Sequence, residues 1–321
     1  MLRLRNMGCD RMKLNYILCA AAVCLVFGSH IGHADERSVP EQLQPLITTS
    51  EFVVGPNRFA FGLLKANRLL EGADVQLRVY GIEGNEASLV AEINAPYRPV
   101  DRIEQTQGVH RHSDGTQHIH TAATGVRGLY VTQLNFNRPG LWGLEISASE
   151  KGGLSAVART TVTVLDAPHT PAVGSPAPRS HNLIASDVKN LREIDTSLSP
   201  DPRLHRVRIA DAIAQGKPQL VVFATPQFCT SRMCGPVVDI VRQLLPKYAN
   251  RVAFTHQEIW RDFASKKVFE TVEEWRLRSE PWIFVVDGQG IIHAKFEGLV
   301  TVRELEAALQ QVLTLGSARD N

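Results

Sequence analysis

Cys229 and Cys234 stand between two apolar patterns of different period. Before them, Leu220 to Ala224 is a short run with the β-branched content of a buried strand. After them, Val237, Val238, Val241, Leu244 and Leu245 recur at helical spacing, with Asp239, Arg242 and Lys247 on the other face. The pair therefore sits at a strand-to-helix junction. A structural disulfide usually closes a longer loop, because that is where the chain-entropy gain lies. A short loop opening a helix fits a redox or metal pair better, since the helix start favours a thiolate.

The compartment follows from the first residues. Residues 14–27 (LNYILCAAAVCLVF) are apolar, follow Arg3, Arg5, Arg11 and Lys13, and precede Gly32-His33-Ala34. This is the pattern of a signal peptide over 1–34, and Met12 could be the true start. An uncleaved signal would instead tether the chain, but the run is short for a membrane span. Cys9, Cys19 and Cys24 leave with the signal, so the exported chain carries one cysteine pair into a periplasmic or other extracytoplasmic, oxidising space. It also loses four basic residues and one acidic one, leaving 31 against 32. That balance offers no electrostatic case for nucleic acid or anionic lipid, and no span is expected after cleavage.

The mature length predicts two domains. Between 50 and 166 the pattern is of short alternating segments: Arg58 to Lys65, Asp74 to Gly81, Ala87 to Asn94, Leu129 to Asn135, Trp142 to Ser149 and Ala156 to Val164. Such spacing predicts an all-β, immunoglobulin-like sandwich. Within it, VHRHSDGTQHIHT (Val109 to Thr121) reads as a hairpin turning at Ser113-Asp114-Gly115. Alternate strand residues share a face, so His110, His112, His118 and His120 could project together and hold Cu or Zn. The competing reading is a solvated loop whose histidines never converge.

Residues 167–182 carry Pro168, Pro171, Pro176 and Pro178 and no apolar periodicity, so a semi-rigid extended linker is expected there. Residues 183–316 alternate again between strand and helix signals. A small helix is expected at Ile209 to Gln215, stopped by Gly216, and a strand at Val252 to Ile259. A helix follows near Val272 to Leu277, then strands at Trp282 to Asp287 and Ile291 to Phe296, and a last helix at Val302 to Leu313. This is an α/β layout around a mixed sheet.

These features resemble the thioredoxin superfamily. The matching residues are the buried strand, the aromatic-Cys step Phe228-Cys229, the CGP at Cys234 to Pro236, the Glu280-Pro281-Trp282 step opening an antiparallel strand, the glycine hairpin and the closing helix. The resemblance covers residues 174–315 and shares no motif with the sandwich. It implies thiol–disulfide exchange with protein thiols and disulfides of exported proteins, and no required cofactor. Cys229, Cys234 and Pro281 would be catalytic, with Phe228, Glu280 and Trp282 beside the substrate. It further implies a cis bond before Pro281, packed next to the cysteines.

Two departures stand out. The family's CxxC is C-x4-C here; a continuous helix would point the two cysteines about 140° apart. Cys229 must therefore lie in the preceding loop and fold back. The acidic residue that thioredoxins bury in the first core strand is Val222 here, so an internal proton acceptor is missing or comes from elsewhere. Other readings stay open. Sco-type copper chaperones are similar, carrying CxxxC and a distant His; Cu(I) at the cysteine pair could draw on Met233, His256 or His293. That His position, before Trp282, holds Arg278, Ser279, Glu280 and Pro281 here. A non-enzymatic interaction module with a static disulfide is the third reading. A peroxidase lacks its compact P-x-x-x-T/S-x-x-C arrangement.

Overall fold

The computed structural model describes residues 42–100, 107–111, 117–121, 127–150 and 155–317, the two short segments as backbone. The expected signal peptide and His112 to Asp114 to Gly115 of the turn lie outside the described residues.

Twelve strands make up the N-terminal part: β1 (Gln44–Ile47), β2 (Phe52–Val53), β3 (Gly55–Lys65), β4 (Arg68–Leu69), β5 (Asp74–Glu83) and β6 (Glu86–Asn94) come first. Then follow β7 (Tyr97–Pro99), β8 (Gln107–Arg111), β9 (Gln117–Thr121), β10 (Gly128–Phe136), β11 (Gly140–Ser149) and β12 (Ala156–Leu165). All six expected strands are present, each one to three residues longer than its pattern. One sheet runs β1-β3-β10-β7, with β4 beside β3; the other runs β2-β12-β11-β5-β6. Alternation decides what each strand buries. Val75, Leu77 and Val79 of β5 and Leu144 and Ile146 of β11 enter a core with Phe59, Phe61, Phe136 and Trp142. Tyr130 belongs to that core because its hydroxyl has partners there: it donates to Leu70 O at 3.1 Å and accepts from Ala73 N at 3.0 Å. The region is thus a β-sandwich. β8 and β9 form a separate antiparallel hairpin that pairs His110 with His118 and Gly108 with His120.

The C-terminal part contains α1 (Ile209–Ala214), β13 (Gln219–Phe223), α2 (Cys234–Tyr248), β14 (Ala253–Gln257), β15 (Trp260–Asp262) and β16 (Lys267–Val268). It continues with α3 (Glu270–Glu274), β17 (Trp282–Val286), β18 (Ile292–Glu297) and α4 (Val302–Ser317). The sheet order is β14-β13-β17-β18, with β13 and β14 parallel and the other pairs antiparallel. Every residue of β13, β14 and β17 is buried, as expected of strands covered on both faces. Period-two alternation divides them. Leu220, Val222, Ile283 and Val285 meet α2 and α4, whereas Val221, Phe223, Phe284 and Val286 meet α1 and the Trp275 region. α3 starts two residues earlier than its apolar pattern suggested, and it ends where Arg276 takes a φ of 53°.

Residues 167–182 hold no helix or strand and turn at Gly174, whose φ is 85°, and they are tied to the second sheet. Pro176 bridges Ile291, Gly174 N donates to Ile292 O at 2.8 Å, and Ala177, Ser180 and Asn182 are buried. Sandwich and α/β part belong to one compact unit. Arg58 of β3 bonds Glu304 at 2.7 and 3.2 Å and Leu299 O at 2.9 Å. Glu297 accepts from Ser50 N at 2.7 Å and Glu51 N at 2.9 Å, and Glu51 in turn holds Lys295 at 2.8 Å. Ala60 and Leu129 pack in one cluster with Leu299, Val300 and Leu305. Among the described residues, no helix is long and apolar enough to cross a membrane.

Candidate active site

α2 begins at Cys234, with Met233 as its N-cap and no side chain capping the first turn. The positive end of the helix there favours a thiolate. Cys229 lies in the loop before the helix. Arg232 adopts a left-handed φ of 58°, and its N–H donates to Cys229 O at 3.2 Å. This reversal brings the two cysteines together: their Cα atoms are 6.0 Å apart and their sulfurs are bonded. The fold-back that C-x4-C demands is thereby met.

The two cysteines differ slightly in exposure. Cys229 is 9% exposed and Cys234 0%. Ser231 Oγ is 3.1 Å from Cys229 Sγ. On the other side, Glu280 Oε2 stands 3.4 Å from Cys234 Sγ and accepts from Thr225 N at 2.8 Å. A disulfide sulfur has no proton to give, so in the oxidised site this is a packing contact; on reduction the Cys234 thiol faces a carboxylate. Burial pushes the Glu280 carboxyl up, only partly offset by the Thr225 N–H bond. No cation is among the groups that shift it. The residue before Pro281 thus places a carboxyl against the buried cysteine. The Glu280–Pro281 bond is cis.

The other residues singled out in the sequence fall in different places. Phe228 is half-buried and stacks on Phe263 at 4.5 Å with 9° between the rings; Trp260 meets Phe263 edge-on at 5.7 Å. This aromatic platform beside Cys229 comes from the β15–β16 hairpin, whose polar sequence gave no strand alternation. Trp282, expected beside the substrate, is 3% exposed, packs on Phe284 at 5.7 Å, and donates to Ser279 Oγ at 2.9 Å. As the first residue of a central strand, it turns its side chain into the core. His293 bonds Asp287 at 3.0 Å in the β18 hairpin. His256 is fully buried in β14 and bonds Ala224 O at 2.9 Å. Neither joins the sulfurs: among the described residues, the donor grouped with Cys229 and Cys234 is Glu280. A hard carboxylate oxygen is a poor complement to two thiolates for Cu(I). Of the histidine hairpin, the backbone registers His110 against His118, and His112 lies outside the described residues.

A second polar group lies behind the cysteine loop. Asp195 Oδ2 is 3.1 Å from His205 Nε2, and Asp195 Oδ1 is 3.7 Å from His256 Nδ1. Glu258, also buried, accepts from Thr196 N at 2.6 Å, and Thr196 Oγ1 accepts from Gln227 N at 3.2 Å. Burial alone would lower His256, but Asp195 outweighs it and raises the imidazole to about 9. Burial raises Glu258 to about 7.

Residues 206–313 match a family model described as a thioredoxin-like domain. The C-terminal part of the chain is thus a thioredoxin-like domain, following an all-β region. No curated protein matches the chain. Among solved structures, one of murine CRIg is 13% identical, covering 38% of this chain and 96% of that one at a TM-score of 0.20. One of Astrotactin-2, described as a conserved vertebrate-specific and perforin-like membrane protein involved in neuronal development, is 11% identical, covering 39% and 21% at a TM-score of 0.22. Overlaps this slight bear on neither fold nor function.

Proposed function

We propose that the chain is an exported thiol–disulfide oxidoreductase acting on protein substrates through Cys229 and Cys234. The observation that carries this reading is the pair itself: the slightly exposed Cys229 bonded to the fully buried Cys234 at the start of α2, with the Glu280 carboxyl against Cys234. In the reduced protein, Cys229 attacks, since it is the cysteine with exposed surface. Its thiolate displaces one sulfur of a substrate disulfide, which leaves as a thiolate and takes a proton from water. Cys234 then gives its proton to Glu280 and attacks Cys229 Sγ, releasing the second substrate sulfur. Two electrons pass from the pair to the substrate, and the internal disulfide remains. The same steps reversed oxidise a dithiol. The Phe228–Phe263 platform offers an apolar surface beside the attacking sulfur, and the Glu280 backbone an edge for an extended segment. The sandwich, read as immunoglobulin-like, is the partner-binding part.

The test is trapping. Cys234→Ala should leave a persistent mixed disulfide between Cys229 and a disulfide-bonded substrate, and Cys229→Ala should abolish attack. Exchanged phenotypes would make Cys234 the nucleophile. A copper carrier would lose Cu(I) affinity in either variant and trap nothing, and that outcome would refute the proposal.

A further inference from the structure

The hydrogen bonds at the end of β13 join the two polar groups through a single peptide unit. His256 Nε2 is 2.9 Å from the Ala224 carbonyl oxygen, and the N–H of the same peptide, on Thr225, is 2.8 Å from Glu280 Oε2. Glu280 Oε2 is in turn 3.4 Å from Cys234 Sγ. Hydrogen bonds thus link His256, the Ala224–Thr225 amide and Glu280, with the Asp195 carboxylate 3.7 Å from His256 at one end as an ion-pair partner and the buried sulfur 3.4 Å from Glu280 at the other. We propose that Asp195 and His256 are positioning residues for disulfide exchange, acting through the Ala224–Thr225 peptide on Glu280 and hence on Cys234. The proposal rests on reading Glu280 as the acceptor of the Cys234 proton.

The physical step is amide polarisation. An imidazolium donating to the Ala224 carbonyl draws electron density toward that oxygen, which makes the Thr225 N–H a stronger donor to the Glu280 carboxylate. The carboxylate is stabilised, so Glu280 is held below the value its burial alone would give. Asp195 supplies the counter-charge that keeps His256 protonated. His256 Nε2 lies 2.9 Å from Ala224 O, while Nδ1 faces Asp195 Oδ1 at 3.7 Å, an ion-pair separation rather than a hydrogen bond. Every element packed here contributes a group. Asp195, His205 and Glu258 face His256; Asp239 and Arg242 of α2 stand beyond Asp195, where Arg242 is 3.5 Å from Asp201. Glu280 faces Thr225, Trp260 and Cys234.

A metal reading of Asp195, His205 and His256 fits less well. The two imidazoles address different oxygens of the carboxylate, at 3.1 and 3.7 Å, as flanking donors do. His256 already spends Nε2 on a backbone carbonyl.

The experiment follows the Glu280 carboxyl carbon by NMR in the reduced full chain, the resonance being assigned by its loss in Glu280→Gln. Polarisation by a neighbour changes a hydrogen bond by about 10–30%, which for a bond to a carboxylate corresponds to several tenths of a pH unit. Asp195→Asn and His256→Gln should each raise the Glu280 midpoint by about that much. The pH midpoint of disulfide exchange should move equally, and neither substitution should move it in a Glu280→Gln background. A purely structural role would lower activity in both backgrounds without moving the midpoint. Unmoved Glu280 titration in both variants overturns the relay and leaves Glu280 as acceptor. An exchange profile unchanged by Glu280→Gln alone overturns the acceptor reading, and the relay with it. Should both variants fail to fold, the nitrogen shifts of His256 in the wild-type chain decide: an imidazolium at neutral pH is required, and a neutral ring overturns the proposal.

Discussion

Replacing Asp195 by Asn tests the buried charge network through stability. The carboxylate accepts from Ser197 N at 2.9 Å, from Asp201 N at 3.3 Å and from His205 Nε2 at 3.1 Å, and it faces His256 Nδ1 at 3.7 Å. Asn has the same size and keeps one acceptor oxygen, so the main loss is charge. A buried imidazolium then stands without a counter-ion, and breaking such a pair costs about 3–5 kcal/mol. The pH dependence gives a second estimate. His256 rises from 6.5 to about 9 on folding, which at 1.36 kcal/mol per unit is about 3 kcal/mol. Because the folded value is raised, this stability is fully present below 6.5 and is lost as pH climbs through about 9. Glu258, raised from 4.5 to about 7, adds a loss in the same direction over a lower range. Asp195 itself is strongly lowered, which is the same pair seen from the acid side and is counted once. Urea unfolding at several pH values measures the difference. The cost of Asp195→Asn should be largest near about pH 6 and shrink toward about pH 10. A cost below about 1 kcal/mol at the lower pH, or one that does not change with pH, would refute the assigned ion pair.

Three further outcomes are expected. Gly298 has a φ of 74°, and a Cβ there would collide with Thr48 O, so Gly298→Ala should cost about 1–3 kcal/mol more than Gly72→Ala, where φ is 66° and nothing lies within 4 Å; equal costs in urea unfolding would remove the Thr48 contact from the account. Phe263→Ser should raise KM for a protein disulfide by about 2–10-fold through loss of the Phe228 stack, with kcat and the reduction of a small disulfide unchanged. If the hairpin holds an ion, zinc or copper uptake by the full chain should fall by one equivalent in the His110→Ala/His118→Ala double variant; undiminished uptake would return these strands to a plain turn.

The strands, the closing helix and the cysteine junction were legible because their apolar periods are strong and their ends are marked by Gly and Pro. The folding back of Cys229 followed from helix geometry alone. What stayed hidden depends on side-chain direction and distance. Nothing in Ser279-Glu280-Pro281 tells which way the Glu280 carboxyl points. The role of His256 is hidden because its partner Asp195 lies in an irregular Ser- and Pro-rich stretch with no period to place it. Arg58 and Glu304 look like solvent positions in their own elements and become partners only when β3 meets the loop before α4. Trp282 was carried to the substrate by its neighbour Pro281, whereas strand alternation sends it into the core.

The central claim is that Cys229 and Cys234 exchange, and their reduction potential tests it most directly. Equilibrating the full chain in glutathione buffers and quantifying the oxidised pair by mass-resolved alkylation gives the value. An exchanging pair should fall between about −120 and −270 mV, the range of oxidoreductases from strong oxidant to reductant. A potential below about −300 mV, where structural disulfides lie, would contradict the account and leave the thioredoxin-like domain with a static crosslink.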